Sequence, residues 1–73
     1  MAWIKIGKHD ILNLSAIKSI EITRHNDNSY YIKFSLYECD SILSNRFEQY
    51  EECFKLFNKV CNAIMNNESV DIS

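Results

Sequence analysis

Between Phe47 and Ile64 the chain places apolar residues around more of a helix than one small sheet can cover. Phe47, Tyr50, Phe54, Phe57, Cys61 and Ile64 recur at spacings of three and four, which aligns them on one stripe. Cys53, Leu56, Val60 and Ala63 extend that stripe sideways. At about 100° per residue the combined apolar arc spans roughly 200°, whereas a helix lying on a core needs only about 100°. The stripe is expected to seat the helix on a sheet. The flank of Leu56, Val60 and Ala63 then needs a second cover, either a strongly curved sheet or another copy of the chain.

The helix carries its own boundary signals. Asn45 with Glu48 three residues later predicts an N-cap of the capping-box kind. Glu48, Glu51 and Glu52 fall where the helix dipole favours negative charge, and Glu51 stands four residues before Lys55 in the favoured order. Asn66-Asn67 predicts a left-handed end. Residues 68–73 are expected to be a free tail, leaving 1–67 as a single domain.

The first forty-three residues read as strands. Ala2, Ile4 and Ile6 alternate with Trp3 and Lys5, and Gly7-Lys8-His9-Asp10 predicts a tight turn into Ile11-Leu12-Asn13. The Asn and Ser side chains of Asn13-Leu14-Ser15 compete for local backbone groups, which predicts a turn or a single 3₁₀ turn. Ile20 to Arg24 alternates as a strand, and the polar cluster His25–Ser29 predicts a hairpin closure. In Tyr30–Leu36, Ile32, Phe34 and Leu36 share one face while Tyr31, Lys33, Ser35 and Tyr37 share the other. Ser41-Ile42-Leu43 predicts a short last strand. Consecutive strands joined by short links usually pair with their neighbours, so the expected fold is α+β: a four-stranded antiparallel meander followed by one C-terminal amphipathic helix.

The run Ile11–Ile20 resembles a pattern in many small bacterial sheet-plus-helix proteins, where an apolar-Asn-apolar-polar run turns sharply into the next strand. It implies no functional residue. Abundant Ile, Asn, Ser and Lys, one Gly and no Pro match the usage of AT-rich bacterial genomes and their phages.

A chain of 73 residues buries only about 60% of the surface its unfolded form exposes, so small domains of this kind commonly add a disulfide, a metal or a partner subunit. Three cysteines do not make a disulfide framework, and no secretory signal precedes the first strand, so the expected compartment is the cytoplasm. Cys53 and Cys61 lie about two turns apart on the helix and read as small hydrophobes. Cys39, between Glu38 and Asp40, lacks the electropositive setting that activates a thiol. His9 and His25 sit in turns at spacings unrelated to any zinc pattern. A single glycine excludes a Gly-rich phosphate loop. No metal, cofactor or catalytic residue is expected.

The net charge of −2 lacks the basic excess of a nucleic-acid footprint. What remains is binding. Trp3, Arg24, Tyr31, Lys33 and Tyr37 are the candidate contact residues of the outer sheet, Tyr and Trp being common interface anchors. Leu56, Val60 and Ala63 are the candidate subunit contact. The function expected is a non-enzymatic protein-interaction module that homo-oligomerises, partnered by itself and another protein. The second expectation is a phage or mobile-element inhibitor that binds a host protein or sequesters a small signalling molecule. Trp3, Arg24, Lys33, Tyr37 and Arg46 would then gather around the ligand.

Overall fold

The computed structural model describes residues 2–7 and 10–73. Strands β1 (Trp3–Ile6), β2 (Asp10–Asn13), β3 (Ile17–Arg24), β4 (Tyr30–Leu36) and β5 (Ile42–Leu43) precede helix α1 (Tyr50–Asn66), and β6 (Val70–Asp71) follows it. The α+β class and the C-terminal helix are as expected; the sheet is not. The described strands form two sheets of three, ordered β2-β1-β6 and β3-β4-β5, in place of one four-stranded meander.

The meander breaks between β2 and β3. Asn13 Oδ1 accepts from the Ser15 N–H at 3.1 Å and the Ser15 hydroxyl at 3.0 Å, winding Leu14–Ala16 into a 3₁₀ turn. Leu14 turns inward and its N–H donates to the Ala2 carbonyl at 3.1 Å. The local turn was legible in the sequence. Its consequence was not: among the described strands β3 pairs with β4 alone and joins a second sheet.

The second correction is the C-terminus. Residues 68–73 are no free tail. Asn67 adopts φ 54°, ψ 48°, its N–H meets the Ile64 carbonyl, and the Glu68 N–H reaches the Ala63 carbonyl at 2.9 Å. This left-handed cap turns the chain back, and β6 pairs parallel to β1, Ile4 with Val70 and Lys5 with Asp71. Val70 and Ile72 enter the core.

The third concerns the helix start. Asn45 is not the N-cap. The Phe47 N–H and carbonyl exchange hydrogen bonds with Tyr30 at 2.9 and 2.8 Å, so this stretch is held as an extra bridge on β4. The helix begins only at Tyr50, behind Gln49, which makes no side-chain cap bond.

The core joins Ile4 and Ile6 of β1, Ile32 and Phe34 of β4, Cys53, Val60 and Ala63 of α1, and Val70 and Ile72. A bulge at Lys18, between the pairs Ile17–Leu36 and Ser19–Ser35, shifts the alternation of β3 by one residue. Ile17, Ile20 and Ile22 thereby all pack against this core. The β3–β4 hairpin closes through Asn28 at φ 63°. No helix among the described residues is long and apolar enough to cross a membrane.

Candidate interaction surface

The outer face of the β3-β4-β5 sheet carries the row expected from the sequence. Glu21 stands opposite Lys33, Thr23 opposite Tyr31, and Ser19 opposite Ser35. Lys33 Nζ lies 3.8 Å from Glu21 Oε1, an exposed pair of the kind worth about 0.2–1 kcal/mol. The His25 ring covers Tyr31 with centroids 4.3 Å apart. Tyr37 is exposed just past the far end of β4.

Trp3 is on the other sheet, half-exposed, with its backbone N–H donating to Ser69 Oγ at 3.0 Å. Arg24 closes β3 and its guanidinium donates to Asn28 Oδ1. Arg46 lies 3.6 Å from Asp27 Oδ2. The five residues named for a ligand site are thus spread over two sheets and both ends of β4, and three of them are engaged in local polar pairs.

Asp27 also accepts from the hydroxyl and N–H of Ser29. These bonds, then the Arg46 charge, hold its carboxyl below the ordinary range. Asp71 is held low by the hydroxyl and N–H of Ser73, then by Lys5 and Lys59. Both form short Asx-type turns at the surface.

The three cysteines are free. Burial pushes the Cys53 thiol up, Cys61 is half-buried, and Cys39 is exposed. Cys39 lies beside a cleft of about 510 Å³ lined by Leu12, Leu36 and Tyr37 among others. No three His, Cys, Asp or Glu side chains gather among the described residues. His9, read as a turn residue, and its neighbour Lys8 lie outside the described residues.

The helix reverses its expected orientation. Val60 is fully enclosed, Ala63 is buried and Leu56 packs against the core, so this flank is used within the chain itself. In the stripe expected to face the sheet, Phe47 and Phe57 pack against the core. Tyr50 is 49% exposed, Phe54 44%, Ile64 38% and the neighbouring Met65 82%.

Both halves of the apolar arc exist, but the opposite half faces out. The reason is the returning C-terminus: α1 packs on β4, β3 and also β6, which a free tail could not provide. Met65, four residues after Cys61, extends the stripe at the same spacing and was missed.

The exposed stripe continues onto the sheet. Tyr30 of β4 meets Tyr50 edge-on at 5.5 Å, and Tyr50 stacks on Phe54 at 5.8 Å. At the other end of the helix, Cys61, Ile64 and Met65 share a groove of about 270 Å³ with Ile17 and Ile20 of β3. The stripe therefore runs the length of α1, from Tyr30 of β4 at one end to Ile17 and Ile20 of β3 at the other. No protein-family model, no curated protein and no solved structure matches the chain.

Proposed function

We propose that the chain is a non-enzymatic protein-interaction module that works as a homodimer, assembled through the exposed stripe of α1. The observation that carries this reading is the stripe itself. Tyr50, Phe54, Ile64 and Met65 lie outside the core on one helix flank, with Cys61 half-buried among them. Monomeric proteins seldom leave a contiguous apolar surface without a use for it. Cyclic dimers are the commonest way a small domain covers one. The charged groups Asp27, Glu21, Lys33, Arg24 and Arg46 are engaged in local surface pairs, and the hollow that Arg24 and Asp27 line with His25 and Asn26 is open to solvent.

The test is solution mass, by native mass spectrometry and light scattering, on the chain and on the double variant Phe54→Glu with Met65→Glu. Both positions are exposed, so the variant keeps its fold by circular dichroism. A dimer for the parent and a folded monomer for the variant is the expected result. A monomeric parent, or a variant that stays dimeric, overturns the reading.

A further inference from the structure

We infer that two copies join edge to edge through β3, forming one continuous six-stranded antiparallel sheet centred on Ile22, with the α1 stripes packed side by side above it. This rests on the homodimer reading and specifies its geometry.

The hydrogen bonding of β4 shows which groups of β3 are open. Tyr30 uses its N–H and carbonyl on Phe47, and Ile32 uses its own on Ser44, so both point away from β3. Arg24 and Ile22 are their partners in the antiparallel register. In an antiparallel ladder such facing pairs exchange no bonds, and both members point outward. The N–H and carbonyl groups of Ile20, Ile22 and Arg24 therefore face the side of β3 where no strand of the described residues lies.

This edge is unusual within the molecule. The other edge strands are short: β5 and β6 have two residues each and β2 has four. β3 has eight residues, and its one bulge, at Lys18, leaves Ser19–Arg24 regular. The Lys18 bulge blunts only its start, and along Ser19–Arg24 there is neither a proline nor, among the described residues, a covering strand. The C-terminal end of the α1 stripe lies near this strand, with Cys61, Ile64 and Met65 sharing a groove with Ile17 and Ile20.

Self-pairing is geometrically permitted, and charge and strand length select the register. The outward groups belong to even-numbered residues, so a two-fold can place Ile22 opposite Ile22, Ile20 opposite Ile22, or Ile22 opposite Arg24. The second choice sets Glu21 directly against Glu21 of the other copy, which is destabilising. Centring on Ile20 draws the Lys18 bulge into the ladder. Setting Ile22 opposite Arg24 pairs only residues 22–24, because β3 ends at Arg24. Centring on Ile22 pairs residues 20–24 and sets Glu21 opposite Thr23 and Ile20 opposite Arg24, with no like charges facing and no bulge in the paired segment. The two-fold also runs the helices antiparallel, so the Tyr50–Phe54 end of one meets the Cys61–Met65 end of the other.

Residue-resolved amide exchange on the full chain tests this, at a concentration where the mass is dimeric and again in the Phe54→Glu, Met65→Glu monomer. The Ile20, Ile22 and Arg24 amides should exchange about tenfold or more slowly in the dimer than in the monomer. The amides of Glu21 and Thr23, bonded to β4, should be protected in both. A dimer in which Ile20, Ile22 and Arg24 exchange as fast as in the monomer overturns the edge pairing and leaves the homodimer reading standing. A parent chain that stays monomeric overturns both, and leaves the edge to a strand of a different protein.

Discussion

Replacing Ser44 with alanine removes one oxygen from the interior and strands one amide. Ser44 is 7% exposed, and its hydroxyl accepts the Ile32 N–H at 2.9 Å. In return the Ser44 N–H donates to the Ile32 carbonyl at 2.9 Å. The pair continues the ladder from β4 past the two-residue strand β5, with a side-chain oxygen standing where a backbone carbonyl would. The hydroxyl also donates to the Asn45 carbonyl at 3.0 Å, but Asn45 is exposed and water can replace that bond. Ile32 is fully enclosed, so its N–H has no such replacement.

An unsatisfied buried donor costs about 1–3 kcal/mol. In a domain of this length each kcal/mol moves Tm by about 4–8 °C, so a mid-range loss of about 2 kcal/mol lowers Tm by about 8–16 °C. The assay is urea unfolding followed by far-ultraviolet circular dichroism, at one fixed chain concentration because dimerisation is linked to stability. Ser41→Ala, at an exposed position, is the control and should stay within about 0.5 kcal/mol of the parent. A Ser44→Ala chain as stable as that control would show that the Ile32 amide finds another partner, and would refute the reasoning.

Two further outcomes are expected. Truncation after Asn67 removes Val70 and Ile72, each a buried side chain worth about 1.5–3 kcal/mol. It also removes the Ile72 N–H bond to the Lys5 carbonyl. That loss is comparable to the whole stability of a domain this size, so the truncated chain should lose most of its dispersed amide spectrum, and an unchanged spectrum would contradict the assignment of β6. The carboxyls of Asp27 and Asp71 are held below their ordinary value of 3.8 by Ser29 and Ser73. The stability they contribute is complete above that value and is lost as pH falls through the folded values. Asp27→Asn should therefore flatten the acid limb of a stability–pH curve measured from about pH 5 to pH 2, and parallel limbs for variant and parent would count against the Ser29 bonds.

What the sequence determined by itself was local. The alternation of Tyr30–Leu36, the turn of Asn13 over Ser15, the hairpin at His25–Ser29 and the left-handed end at Asn67 each depend on a few neighbouring residues. Backbone preference and short-range side-chain bonds suffice for them. The total width of the apolar arc on α1 was equally legible, because it is a sum over one helix.

The tertiary structure decided which half of that arc faces inward. The two halves are chemically alike, so nothing within the helix distinguishes Val60 and Ala63 from Phe54 and Ile64. The distinction comes from β6, a strand of two residues whose parallel pairing with β1 spans nearly the whole chain. The same holds at Phe47, where a capping signal at Asn45 lost to two backbone bonds with Tyr30. At Phe47 the distant contact outweighed a local capping preference of about a kcal/mol, because it brought buried apolar surface with it; on α1 there was no local preference to outweigh.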